Sequence, residues 1–192
     1  MTAAAFSAHD SFPAVERGRL GVWLFLVTEA MFFAGLIAAF LALRSGSAQW
    51  PVTAGRLDLA PALVATALLV ASSFTMMLAI RAIRRGSQRG LVTFLALSLA
   101  LGIAFLGIQA HEWSVLIASG VGARTDLFWS CFFVLTGVHG LHVLAGATWI
   151  LVTTLFARRF TRAAHAPVEL ASLYWHLVDG VWIVLFTLLY LS

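Results

Sequence analysis

Five long apolar runs, at 20–43, 59–81, 91–111, 127–156 and 171–191, dominate this 192-residue sequence. Each matches the roughly 20 helical residues needed to cross a hydrocarbon core. The runs are continuous rather than alternating, which favours helices over barrel strands, and a helix satisfies its own backbone in lipid. Composition agrees: 61% of residues are hydrophobic and only 10% are charged, against about 25% charged in soluble domains. A chain this short leaves much of its surface exposed, so lipid must cover part of the apolar side chains. A soluble cytoplasmic enzyme, a disordered tail and a disulfide scaffold are all excluded. The single Cys131 sits inside an apolar run, which rules out an internal disulfide and a cysteine metal cluster.

The breaks between runs carry turn formers and arginines. Gly46, Pro51 and Gly55 fall in the first break, Arg84 to Gly90 form the second, Gly120, Gly122 and Arg124 the third, and Arg158 to Pro167 the fourth. The twelve arginines outnumber the eight acids, giving a net charge of +4. They are scattered through the breaks instead of forming one basic face, so nucleic-acid binding is not expected. With five spans, nine arginines (Arg17, Arg19, Arg81, Arg84, Arg85, Arg89, Arg158, Arg159, Arg162) share one side and three (Arg44, Arg56, Arg124) the other. The positive-inside rule then predicts a cytoplasmic N-terminus and an outside C-terminus. The fold class read from the sequence is all-α: a polytopic bundle of five transmembrane helices, with 1–19 as a cytoplasmic tail and 20–192 as one membrane domain. No cleavable signal is expected, since 1–19 is polar and the first apolar run is too long.

Ionisable residues at bilayer depth are costly and usually face the protein interior. Here they are Glu29, His139, His142, His176 and Asp179. At about 1.5 Å per residue, Glu29 lies roughly 13 Å and His176 and Asp179 roughly 7–12 Å from the cytoplasmic end of their spans. His139 and His142 lie roughly 18–23 Å from the opposite end, which brings all five to one layer. Ser72, Ser73 and Thr75 on the second span fall at a similar level. His139, His142 and Gly146 follow an i, i+3, i+7 stripe, with the glycine expected to allow close helix approach. His176 and Asp179 are one turn apart and are expected to hydrogen-bond within their helix.

Three readings are open for this layer: polar glue between helices, proton handling centred on Glu29, and a metal or haem site built from the histidines and Asp179. The metal reading lacks further ligands and a cleft. His111, Glu112 and Trp113 read as a headgroup and aromatic belt. Met31, Met76 and Met77 read as core filling. A stand-alone transporter is a competing class, but no internal repeat supports it.

Three strings stand out: Trp23-Leu-Phe-Leu-Val-Thr-Glu29-Ala-Met-Phe32-Phe33-Ala-Gly35, Gly137-Val-His139-Gly140-Leu-His142-Val-Leu-Ala-Gly146, and Tyr174-Trp175-His176-Leu-Val-Asp179-Gly-Val-Trp182. With Gly107-Ile-Gln109-Ala-His-Glu112-Trp113, they resemble the signature segments of subunit III of haem–copper oxidases. The chain is most similar to the short five-span bacterial form. The resemblance implies an accessory subunit of an aerobic terminal oxidase in the bacterial inner membrane, packed on the catalytic haem–copper subunit and other oxidase subunits. It implies no catalytic residue, metal or cofactor in this chain, with haem and copper in partner subunits and a structural phospholipid among the lipids around it. Glu29 then matches the family's buried carboxylate, and His139, His142, His176 and Asp179 its signature polar residues, in a structural or proton-handling role. A subunit-III-like protein of a nitric-oxide reductase is the alternative.

Overall fold

The computed structural model describes residues 14–47, 50 and 57–191. Among them are five long helices and no strand: α1 (Ala14–Gly46), α2 (Leu59–Arg84), α3 (Gln88–Ala118), α4 (Leu127–Leu155) and α5 (Ala166–Tyr190). A 3-10 turn at Ala157–Arg159 follows α4. All five helices are long and apolar enough to cross a membrane. Residues 1–13 of the expected tail, Arg56 and the Arg17 side chain lie outside the described residues, while 14–19 form the first turns of α1.

α1, α3 and α5 start ahead of their apolar runs, at 14, 88 and 166, and side-chain caps fix the starts of α2, α3 and α4. Asp58 accepts from the Ala60 amide at 3.0 Å and Asp126 from the Trp129 amide at 3.0 Å, each relieving an orphan N–H at a helix start. Ser87 does the same for α3, accepting from Gly90 at 3.2 Å. Gly86, at φ +79°, makes the left-handed turn that reverses the chain between α2 and α3. α3 continues to Ala118, seven residues past the apolar run that ends at 111, and is followed by Gly120 at φ +82°.

α2, α3, α4 and α5 close into a ring in which each packs on the next, and α5 returns to α2. α1 lies outside the ring along α4 and α5. Its buried apolar residues are Leu26, Phe33 and Phe40, spaced by seven, a single narrow seam of the kind two nearly parallel helices make. The ring's interior holds Leu69, Met76, Leu95, Phe105, Val143, Ile150, Trp175 and Trp182. A second cluster around Phe128, Phe132 and Leu185 fills the far end. Leu24, Met31, Leu63, Phe74, Leu141, Leu155 and Ile183 are exposed around the outside, which suits hydrocarbon and not water. Met31 and Met77 belong to this outer surface, so of the three methionines only Met76 fills the core.

Trp175 organises the ring. Fully buried on α5, its indole N–H donates to Ser72 Oγ of α2 at 2.9 Å. Its ring edge lies where a Cβ would stand on Gly102 of α3 (2.6 Å) and on Gly146 of α4 (2.8 Å). Gly146 therefore makes room for an indole, not for the close helix backbone expected from the stripe.

Candidate functional site

The five ionisable residues expected to share one layer fall into three separate clusters. The first joins α1 to α4. His142 Nδ1 lies 2.7 Å from the carbonyl oxygen of Val138, its own i−4 neighbour. A carbonyl only accepts, so Nδ1 carries a hydrogen. His142 Nε2 lies 2.8 Å from Glu29 Oε2. That contact needs one proton, held either on the imidazole or on the carboxyl, so the pair is neutral overall in both arrangements. Phe33 edges onto the His142 ring at 4.8 Å and Phe32 stacks near it at 6.0 Å. Tyr174 of α5 donates to the His142 carbonyl at 3.2 Å, bringing a third helix to the pair. Both side chains remain about one-fifth exposed (21% and 20%), so the pair also opens to the outside of the bundle.

The second cluster joins α2 to α5. Ser73 Oγ donates to Asp179 Oδ2 through a short hydrogen bond. With its only proton committed there, the 2.9 Å contact to His176 Nδ1 is a donation from the imidazole to Oγ. The expected direct bond between His176 and Asp179 is thus replaced by a hydroxyl from another helix. One turn of sequence brings the two side chains near each other but leaves space between them that Ser73 fills. His176 also lines a groove between α1 and α5 beside Ala30, Ala34 and Gly180. Asp179 Oδ1 is buried with no partner among the described residues.

His139 forms the third cluster alone. It is fully buried, and neither ring nitrogen has a partner among the described residues. Rings hold it: Trp182 stacks at 5.1 Å, Phe105 meets it edge-on at 5.8 Å and Phe33 at 6.4 Å. Three positions along α4 separate it from His142 by roughly a sixth of a turn. That rotation sends His142 to α1 and His139 into the ring, so the stripe does not become one shared site. No three His, Cys, Asp or Glu side chains among the described residues are grouped to hold a metal ion.

Two further polar groups have partners that the sequence reading did not expect. Glu112 accepts from Tyr190 Oη at 2.7 Å and from Gln109 Nε2 at 3.1 Å, tying α3 to α5. Trp113 Nε1 donates to Thr136 Oγ1 at 3.3 Å, with its ring packed over Gly137. Both make interhelical bonds where a headgroup belt was expected, because α3 continues beyond them to Ala118. At the opposite end, Glu169 accepts from Arg19 and Arg84 at 2.8 Å each and lies 3.1 Å from His165 Nε2, binding the starts of α1 and α5 to the end of α2. His165 is part of that knot.

Five helices long and apolar enough to cross a membrane define a polytopic α-helical membrane protein. The comparisons with known proteins narrow that class. A family model described as cytochrome c oxidase subunit III matches residues 1–192. A cytochrome c oxidase subunit 3 of Synechocystis is 44% identical over 188 residues, covering 96% of this chain and 79% of that one. One from Thermostichus vulcanus is 40% identical over 175 residues, covering 90% and 86%. A quinol oxidase subunit 3 of Bacillus subtilis is 38% identical over 181 residues, covering 92% and 89%. The chain belongs to the cytochrome c oxidase subunit III family. These relatives are subunits of terminal respiratory oxidases, which favours that class over the nitric-oxide reductase alternative.

Proposed function

We propose that this chain is the accessory subunit III of an aerobic terminal oxidase in a bacterial inner membrane, docked on the catalytic haem–copper subunit beside other oxidase subunits. The observation that carries the reading is a family match along the whole chain, together with similarity to both cytochrome c and quinol oxidase subunits. Oxygen reduction and proton pumping belong to the complex, and haem and copper to its other subunits. This chain contributes architecture, stability and support for proton uptake. The hydrogen bonds of Ser73, Trp175 and Tyr174 across helices favour the structural part of that role. The one-proton pair of Glu29 and His142 at the bundle's outer face favours a proton-handling part. Structural phospholipid completes the surroundings.

The test is purification of the tagged chain in mild detergent, with absorption spectra and oxygen consumption measured on the product. A haem-bearing partner and an oxygen-consuming complex are expected. Recovery of the chain alone, or with a partner that reduces nitric oxide and not oxygen, overturns the reading.

A further inference from the structure

The groove between α1 and α5 has a volume of about 340 Å³ and opens on the outside of the bundle. It extends from Ala30 to Ile37 on α1 and from Leu177 to Val184 on α5. That is roughly 10 Å, or two helical turns, along each helix. α1 meets the bundle along Leu26, Phe33 and Phe40, and the small Ala30 and Ala34 beside that seam leave its flank hollow. Gly180 does the same from α5, where an added Cβ would meet nothing within 4 Å. Ala30, Ala34, Gly180 and Val184 are all exposed.

His176 is the one polar side chain in this lining. Its Nδ1 donates to Ser73 Oγ at 2.9 Å, since the Ser73 proton goes to Asp179. The other nitrogen of the neutral imidazole, Nε2, is then an acceptor. Nε2 has no hydrogen bond among the described residues, and unlike both nitrogens of His139 it is not buried. With Nδ1 turned toward α2, the opposite edge of the ring carries Nε2 to the outside. His176 stands ten residues into α5, roughly 15 Å from its start, where water is scarce. An acceptor left alone at that depth costs free energy. An acyl chain would fit the apolar walls but has no hydrogen to give.

We infer that a transmembrane helix of a companion subunit seats in this groove and donates a hydrogen bond from a hydroxyl or indole side chain to His176 Nε2. A hollow two turns long between neighbouring helices has the shape that a third helix fills. Small residues on both flanks let its backbone approach, and a polar side chain across the contact holds it, as membrane helices commonly associate. α5 already meets its neighbours in the chain this way. Trp175 donates to Ser72 and Trp182 to Thr66 on α2, and Tyr174 donates to the His142 carbonyl on α4. On the outer face the roles reverse, with α5 offering the acceptor and the companion bringing the donor. The companion is an oxidase subunit on the subunit III reading, which the inference rests on and deepens by naming the face and its chemistry.

Photocrosslinking in native membranes tests this, with p-benzoylphenylalanine in place of Val184 and the crosslinked peptides identified by mass spectrometry after purification through a tag on this chain. A crosslink to a membrane-spanning segment of one companion subunit is expected. The half-life of that companion on the chain is then measured in excess detergent. Gly180→Leu, which fills the groove in space that is open, is expected to shorten it at least about tenfold. His176→Phe, which keeps a ring and removes the acceptor, is expected to shorten it roughly fivefold, the scale of one interhelical hydrogen bond. Replacing the companion's donor by an apolar residue is expected to do the same, and combining it with His176→Phe to add nothing further. Crosslinks to lipid alone, a half-life unchanged by Gly180→Leu, or losses that add in the double variant overturn the inference. Haem content and oxygen consumption of the same preparations report on the subunit reading separately. A haem-bearing complex in which Val184 crosslinks no protein removes the inference alone, and a crosslinked companion from a complex without haem removes the subunit reading while the groove keeps its helix.

Discussion

Glu29 and His142 illustrate how a single proton separates two roles. Because Nδ1 is tied to the Val138 carbonyl, Nε2 accepts a hydrogen bond from any donor placed at Glu29 Oε2. Glu29→Gln supplies one from its amide, so the α1–α4 link survives while the exchangeable proton is lost. Thermal unfolding of that variant in detergent is expected within about 1 kcal/mol of the parent, the scale of single interhelical hydrogen bonds in membranes. Oxidase turnover or its proton uptake is expected to fall. Normal turnover in Glu29→Gln would leave the pair purely structural, and failure to assemble would point the same way. Ser73 presents the opposite case, since it serves two partners. Ser73→Ala strands His176 Nδ1 and Asp179 Oδ2 together, so its cost is expected at about 1–3 kcal/mol. Asp179→Ala is expected to lower assembly as well, and combining it with Ser73→Ala should cost less than the two single losses added. Additive losses in unfolding measurements would show that the hydroxyl does not couple the two side chains.

Helix by helix, the glycines separate positions that space decides from positions that it does not. A Cβ on Gly102 would stand 2.6 Å from Trp175 Cη2, and one on Gly146 2.8 Å from Trp175 Cε3. The indole is enclosed from both sides and anchored to Ser72, so it cannot swing away. Gly102→Ala is expected to destabilise by about 1–3 kcal/mol through overpacking. Gly35→Ala, where nothing lies within 4 Å, is expected to be neutral or stabilising by up to about 1 kcal/mol from helix propensity alone. Melting temperatures of the two variants in one detergent check the contrast, and equal behaviour would remove Trp175 from its place at the centre of the ring. The five helices were legible in the sequence because lipid demands continuous apolar runs, and the polar layer was legible because charge at depth is rare. The pairing within it was not. Spacing along one helix puts His139 beside His142, and only neighbouring helices decide that one meets Glu29 and the other Trp182. Ser73 and Glu112 gave no periodic signal at all, since their partners come from distant elements. The run lengths placed both ends of α1 and α3 and the start of α5 short, because a helix continues through polar residues that hydropathy excludes.

For the molecule as a whole, the asymmetry of charge sets an orientation. The connectivity places Arg19, Arg81, Arg84, Arg85, Arg89, Arg158, Arg159 and Arg162 at one end of the bundle and Arg44 and Arg124 at the other. Glu169 neutralises part of the first group, but acids weigh little in fixing topology, and the arginines lie within short connections close to the spans, where they count most. The positive-inside rule therefore predicts that the arginine-rich end faces the cytoplasm, with the α3–α4 connection outside. Ala163 and Ala123 are exposed on the α4–α5 and α3–α4 connections and suit cysteine reporters, in a Cys131→Ser background that removes the native thiol. A membrane-impermeant maleimide applied to intact spheroplasts is expected to label Ala123→Cys and to reach Ala163→Cys only after the membrane is broken. The reverse pattern would invert the molecule and put the arginine knot in the outer leaflet. Labelling of both in intact cells would mean that the arginine imbalance does not hold the bundle in one orientation, and the knot around Glu169 would then serve packing alone.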